Sequence, residues 1–139
     1  MIQGVIEILL DASAVTTLVG NKSAQSSEYK IYPVVATQGE TAPYIIAAKT
    51  PGTPLQMKGQ GSDLDTSNFQ LLIYGDTYEL IDDIHEACRI ALDNKTSVTD
   101  NGINFDRIWF TGDYDSFDKE AQKLVRIANY SALHKRSLT

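Results

Sequence analysis

The residues of this chain best suited to chemistry are the carboxylates of a short acidic segment. Asp113, Asp115 and Asp118 lie close together, and spaced carboxylates are the oxygen ligands that Ca²⁺ and Mg²⁺ prefer. The helix-loop-helix calcium site needs Gly at its sixth position and Glu at its twelfth. In a loop that starts at Asp113, these positions hold Asp118 and Leu124. The pattern therefore favours a solvated acidic turn over residues 112–118, and no metal site is predicted.

The other reactive residue types are isolated from one another. His85 lies at the edge of a predicted helix stripe and His134 near the C-terminus, so neither forms an acid-base pair with a serine or cysteine. Cys88 is the only cysteine and falls on an apolar stripe, which is typical of a small core residue. Gly59-Gln60-Gly61 lacks the third glycine and the following helix of a dinucleotide-binding loop. The sequence predicts no catalytic, cofactor-binding or metal-binding residue, and we expect no enzyme.

Length and composition set the class of protein. The chain has 139 residues, with 42% hydrophobic and 22% charged residues, which predicts one globular domain spanning 1–139. Its net charge is -6, from 12 basic and 18 acidic residues. Because the basic residues are scattered, the sequence argues against binding of nucleic acid through its phosphates. The N-terminus lacks a basic start, and no apolar run approaches the roughly 20 residues that span a bilayer. We expect a protein made in the cytoplasm.

Two helices are predicted from apolar stripes with a 3.6-residue period. The first opens the chain, and Asp11 or Ser13 is a candidate cap for a further turn that ends at Gly20. The second begins after Asp76 as its predicted N-cap, with Glu79 at the third helical position. Its stripe comprises Leu80, Ile81, Ile84, Cys88, Ala91 and Leu92.

Four strands are predicted, near residues 30–36, 44–50, 67–74 and 103–111. Between them the sequence predicts a long projecting hairpin loop over residues 51–63, a polar loop over 96–102 and the acidic turn after Gly112. The segment 120–133 fits either a helix or a strand, and the residue pattern leaves that choice open.

Three short motifs early in the chain, taken together with the later elements, are similar to those of a known family. They are Ile31-Tyr32-Pro33, Gln38-Gly39 and Pro43-Tyr44-Ile45-Ile46; the later elements are, in order, NFQLLIYG, the helix TYELIDDIHEACRIALD and NGINFDRIWF with its acidic turn. In order and spacing this set resembles the tail-completion or tail-terminator proteins of long-tailed bacteriophages, which are similar to the lambda-type tail terminator and to tail-to-head joining proteins. The resemblance covers nearly the whole chain.

The resemblance implies an α+β fold in the order α-β-β-β-α-β-β, with a mostly antiparallel sheet of about five strands, two helices on one face and a long β-hairpin loop. It implies that the last segment, near Lys123 to Leu133, is a strand. It also implies a structural virion protein: a ring, expected to be a hexamer, that terminates the phage tail tube and joins it to the head connector or stopper protein, while genomic DNA passes through the lumen.

The interface candidates are Leu55, Gln56, Met57 and Lys58, because these residues of the hairpin loop have no evident core partner. No cofactor is expected. The expected partners are further copies of the chain, the tail tube protein, the connector and the passing DNA, with no membrane. Two alternatives remain open from the sequence: a small α/β module that binds a ligand or nucleic acid, and a metal-dependent hydrolase that uses the acidic turn.

Overall fold

The computed structural model describes residues 2–20, 29–33, 42–50, 54–57, 60–93, 95–100, 103–120 and 122–135. Three helices and seven strands are formed there. The helices are α1 (Ile2–Asp11), α2 (Ser13–Val19) and α3 (Tyr78–Leu92). The strands are β1 (Ile31–Pro33), β2 (Tyr44–Thr50), β3 (Pro54–Met57), β4 (Gln60–Gly75), β5 (Lys95–Asp100), β6 (Ile103–Asp118) and β7 (Lys123–Lys135).

The strands form one sheet in the order β1-β2-β4-β7-β6-β5, and β3 pairs with the first part of β4. Only β1 and β2 are parallel; the other pairs are antiparallel. The predicted α+β class and its element order are confirmed. Every strand expected from the sequence or the resemblance is present, including the last one, and β3 and β5 are two further strands.

The main core lies between the helices and one face of the sheet, which we call the helix face. It is built from alternate residues of the strands because successive side chains of a strand point to opposite faces. The sheet contributes Ile31, Ile45, Ala47, Phe69, Leu71, Ile73, Ile108, Ala128, Tyr130 and Ala132. The helices contribute Val5, Leu9, Val15, Ile81, Ile84, Cys88 and Leu92, among others. The apolar stripe predicted for α3 is confirmed by this packing, and burial raises the pKa of the Cys88 thiol to about 12.

The opposite face of the sheet, which we call the outer face, carries a second buried cluster. It consists of Tyr32, Tyr44, Ile46, Tyr74, Val125 and Ile127. The rings of Tyr44 and Tyr74 are stacked with centroids 4.6 Å apart. The sheet is therefore apolar on both faces at the end where β2 begins and β4 ends.

The helix ends differ in detail from the sequence expectations. The N-cap of α3 is Thr77, whose hydroxyl accepts a hydrogen bond from the backbone N–H of Leu80; Asp76, predicted in that position, instead faces Lys123 at 3.6 Å. Ala12 precedes α2 without a side-chain cap, so neither predicted cap is used. The stop at Gly20 is confirmed, with φ +77°.

Three segments predicted as loops or turns lie wholly or partly in strands. The 51–63 segment contains β3 and the start of β4, which form a hairpin through the pair Met57 and Gln60. The polar segment after α3 forms β5, and the acidic segment from Gly112 continues β6. These strands carry polar residues and glycines, so their pairing partners determine their conformation more than their own propensities do. The Gln38-Gly39 motif lies outside the described residues. None of the described helices is long and apolar enough to span a membrane.

Phe69 and Tyr130 stack in the core with ring centroids 5.4 Å apart, and substituting them should have contrasting effects on stability. Phe69 is fully buried, and we expect Phe69→Ala to lower the free energy of unfolding by about 3–5 kcal/mol through the cavity it leaves. The Tyr130 hydroxyl is buried without a hydrogen-bond partner in the described structure, so Tyr130→Phe removes an unsatisfied group and should change stability by less than about 1 kcal/mol. Urea denaturation measures both. A large loss in Tyr130→Phe would contradict the packing.

Candidate assembly surface

The second half of β6 is an open edge of the sheet. Its first half pairs with β5 as far as Ile108 and Lys95, while β7 runs along β6 as far as Asp118 and Lys123. Within the residues that the structure describes, residues 111–118 therefore have a strand partner on one side only. We call this segment the β6 edge. Such an edge presents backbone N–H and C=O groups to whatever strand approaches it.

Asp93 marks where the β5 ladder ends and the open edge begins. Its carboxylate accepts a hydrogen bond of 2.9 Å from the backbone N–H of Phe110 and one of 2.8 Å from Arg89. The Arg89 guanidinium also lies 4.3 Å from the centroid of the Phe110 ring. The backbone N–H of Phe110, just before the edge, is thus bound by the C-cap residue that follows α3, and this contact fixes the end of the helix to the sheet.

Arg126 of β7 joins the β6 edge to α3. It lies opposite Asp115 in the ladder, donates to both oxygens of that carboxylate at 2.7 and 3.1 Å, and donates to Asp82 of α3. These hydrogen bonds lower the pKa of Asp115 and raise the pKa of Arg126. A bidentate Arg-carboxylate pair also has a fixed geometry, so the arrangement sets the position of α3 over the sheet.

His85 of α3 makes a second contact with the β6 edge. Its Nε2 lies 3.0 Å from the carboxylate of Asp113, while its Nδ1 is buried without a partner in the described structure. A carboxylate only accepts hydrogen bonds, so Nε2 carries the proton and Nδ1 is the unprotonated nitrogen. Burial lowers the pKa of His85 and outweighs the opposing effect of Asp113. The imidazole is therefore neutral near pH 7.

Two aromatic side chains flank the β6 edge, one on each face of the sheet. Tyr114 is 59% exposed and lies opposite Ile127 on the outer face. Phe117 is 53% exposed and lies opposite Leu124 on the helix face. A sheet edge with exposed rings on both sides is a candidate contact surface because aromatic residues are enriched in protein interfaces.

The three carboxylates of the acidic segment do not converge on one point. Asp113 and Asp115 turn to α3 and β7 on the helix face, whereas Asp118 accepts a hydrogen bond of 3.3 Å from the Tyr74 hydroxyl on the outer face. Burial and the neighbouring Asp118 raise the pKa of Tyr74 to about 12. No cluster of metal-binding side chains is found among the described residues. The predicted turn is wrong, because residues 112–118 continue the strand β6. Asp113 and Asp115 stay exposed to solvent as predicted, and each of the three carboxylates has a protein partner.

The sequence-predicted interface residues lie at the other end of the sheet. Leu55, Gln56 and Met57 are in β3, which pairs only with β4 in the described part of the chain, and Lys58 lies outside the described residues. Since β4 pairs with β2 and β3 on one side and with β7 on the other, these candidates and the β6 edge are on opposite sides of the sheet. The structure does not bring them together within one chain.

Sequence reasoning did not find the β6 edge or its contacts. The signal was present: Asp113, Asp115 and Phe117 alternate with Tyr114 and Ser116 over residues 113–117, which is the two-residue period of a strand. The glycine at 112 and the density of acidic residues favoured a turn instead. Arg126 was not singled out because its partners are distant in sequence and adjacent only in the fold.

Comparisons with known proteins relate the fold to a chain of a virion. No protein family profile matches the chain, and no curated protein sequence matches it. Among solved structures, the chain is similar to one in the virion of a native gene transfer agent particle, with a TM-score of 0.71 and 14% sequence identity. The match covers 96% of this chain and 92% of that chain. At this level of identity the similarity shows a common fold over the whole domain.

The Arg126 contacts predict a measurable loss of stability. Arg126 is 13% exposed, but its partners are 38% and 60% exposed, so water screens part of the interaction. We expect Arg126→Ala to lower the free energy of unfolding by about 1–2 kcal/mol, between the values for exposed and buried ion pairs. Lys123→Ala is the matched control, because its partner Asp76 is 69% exposed, and it should cost less than about 0.5 kcal/mol. Equal losses in urea denaturation would contradict the role of Arg126.

The lowered pKa of His85 predicts a pH dependence of stability. The unfolded chain binds a proton on this histidine near pH 6.5, while the folded chain binds it only at lower pH. Stability is therefore complete above about pH 6.5 and falls as pH drops through the folded pKa. We expect His85→Gln to lose less stability than the wild type between about pH 7 and pH 5. A wild-type profile in His85→Gln would refute the assignment.

Proposed function

We propose that this chain is a structural virion protein that works without catalysis. In this proposal six copies form a ring that terminates a phage tail tube and joins it to the head connector or stopper protein, and genomic DNA passes through the lumen. The observation that carries the proposal is the fold similarity to a chain of a gene transfer agent virion, with a TM-score of 0.71 over 96% of the residues.

The sheet supports this proposal because its two sides are different. A closed ring of identical subunits needs a heterologous interface, in which one patch of each subunit meets a different patch of the next. The β6 edge lies on one side of the sheet, and β1 and β3 lie on the other. Two non-equivalent edges in one rigid sheet are suited to such an assembly.

The β3–β4 hairpin is the proposed contact with a neighbouring protein of the tail. Leu55, Gln56, Met57 and Lys58 remain the candidate contact residues. Leu55, Gln56 and Met57 lie in β3, which carries no charged residue and is paired on one side only in the described part of the chain. We expect the hairpin to meet another copy, the tube protein or the connector.

The net charge of -6 is compatible with passing DNA. An acidic protein repels the phosphate backbone, and most of the described basic side chains near the β6 edge are engaged: Arg126 and Arg89 in ion pairs with carboxylates, and Lys123 opposite Asp76. Phosphate binding depends on basic groups that are available to neutralise it. The surface is thus suited to a lumen that does not hold the DNA.

Electron microscopy of particles made without this protein tests the proposal. We expect DNA-filled heads that are not attached to tails, with overlong or unsealed tail tubes, because nothing caps the tube or receives the connector. Supplying the wild-type protein should restore joined particles. Normal joined particles in its absence would reject the proposed function.

A second experiment tests the hairpin residues. The double variant Leu55→Ala with Met57→Ala removes the two largest apolar groups of β3 and should leave tails unjoined or unsealed in the same assay. The matched control is the double variant Tyr78→Ala with Ile90→Ala, which removes two exposed apolar side chains from α3 and should join normally. Normal joining by the hairpin variant would mean that β3 is not a contact site.

A further inference from the structure

The backbone of β6 can be followed from the end of the β5 ladder into the open edge. The ring of Phe110 packs on the helix face, and its N–H points away from β7 to the Asp93 carboxylate. Thr111 and Gly112 then lie together opposite Asn129, as the two residues of a β-bulge do. The regular alternation of the strand therefore resumes at residue 113.

Three residues of the β6 edge direct their backbone groups to the open side. Asp113 and Asp115 have their side chains on the helix face, as Phe110 does, and Phe117 follows at the same two-residue spacing. Residues of one strand that share a face also send their N–H and C=O groups to the same side. Within the described part of the chain these outward groups form no hydrogen bond, and all residues from 113 to 117 are exposed.

The helix face beside this edge is negatively charged. The single guanidinium of Arg126 is shared by the carboxylates of Asp82 and Asp115, and Asp113 faces an imidazole that is neutral near pH 7. Glu86 of α3 is exposed and has no ion-pair partner among the described residues. More negative than positive charge thus lies along the open backbone groups.

We propose that the β6 edge binds an extended segment of another protein, which adds to the sheet as an antiparallel strand and places two basic side chains beside Asp113 and Asp115. The proposal goes beyond the virion function and does not rest on it. A ring of copies would then use surfaces on the two sides of the sheet other than residues 113–117.

The geometry of an added strand specifies the sequence of the segment. Directly opposite residues of antiparallel strands lie on the same face and, at alternate positions, exchange both backbone hydrogen bonds. The residues opposite Asp115 and Asp113 are therefore basic, two positions apart. The residue between them lies beside Tyr114, which is 59% exposed on the outer face, and the one opposite Phe117 lies beside a ring that is 53% exposed. Both of these should be apolar.

The sequence of this chain argues that the segment comes from a different protein. No two of its lysines and arginines are two positions apart, so a second copy cannot supply the basic pair. Two β6 edges would also bring aspartates together, and like charges across a strand pair are destabilising. Charged side chains commonly protect an edge strand from pairing. Here the negative charge disfavours a second copy and favours a basic partner.

Model peptides test the proposal by titration calorimetry with the purified full-length chain. The probe is acetyl-Ser-Leu-Val-Lys-Val-Lys-Ser-amide, at low ionic strength so that its charges are little screened. We expect the peptide to bind, and we expect no binding when glutamate replaces both lysines. The glutamate peptide has the same length and apolar residues, so this comparison isolates the charge.

Two N-methylated forms of the probe separate strand addition from charge attraction alone. Methylation of both lysine amides removes donors that point to β6, whereas methylation of both valine amides removes donors that point away from it. Charge and methyl count are identical in the two peptides. We expect the lysine-methylated form to bind at least about tenfold more weakly. Equal or tighter binding of that form, or no binding of the unmethylated probe, would overturn the proposal.

Variants of the protein locate the binding site on the β6 edge. Glu86→Lys should weaken binding of the unmethylated probe at least about threefold, whereas Asp11→Lys makes the same charge change at an exposed residue of α1 and should leave it unchanged. Equal effects of these two variants would place the peptide elsewhere and overturn the proposal.

A proline tests the role of the backbone itself. Phe117→Pro removes an outward N–H and blocks the edge, while Phe117→Ala removes the same ring and keeps the N–H. We expect binding to be lost in the proline variant and retained in the alanine variant, with urea denaturation showing that both are folded. Equal binding by two folded variants would contradict strand addition. These assays use the protein and peptides alone, so they can fail while the virion role holds, and they can succeed while it fails.

Discussion

The pairing of β6 with β7 is the constraint on which the rest of this structure depends. It places Asp115 directly opposite Arg126, and the same guanidinium then reaches Asp82 on α3. One cross-strand pair thus positions the main helix, which in turn brings His85 over Asp113 and Asp93 beside the N–H of Phe110. The helix layer, the end of the β5 ladder and the start of the open edge all depend on this register.

The sequence predicted the parts of the fold in which local pattern and burial agree. The α3 stripe, β2 and the core half of β4 have apolar residues at the period of their own element, and their buried faces confirm that period. The last strand was different, because Ala121, Leu124, Val125 and Ala128 fit a helix, while Val125, Ile127 and the region of Tyr130 fit a strand. The resemblance to a phage protein family resolved that choice, and the paired register of β7 explains it: the strand is central, with a partner on each side.

The parts that the sequence missed are those whose conformation comes from a distant partner. The segment from Gly112 to Asp118 has the composition of a turn, yet it is a strand because β7 pairs along it. The start of β4 likewise lacks an apolar pattern and is held by β3 and β7. Whether such a segment forms a strand depends on its pairing partner more than on its own propensity. The local sequence of the segment therefore does not predict the strand.

Catalytic sites and assembly surfaces also differ in how well local sequence predicts them. A catalytic site concentrates a few reactive groups, and residue types alone can point to it. In this chain two of the acidic residues that first suggested such chemistry instead position β6, Asp113 against His85 of α3 and Asp115 against Arg126 of β7. An assembly surface made of backbone groups requires only that a strand be extended, aligned and free on one side. In the described part of the chain the β6 edge meets these conditions because β7 pairs along it as far as Asp118 while β5 stops at Ile108, and that register becomes visible only in the folded chain.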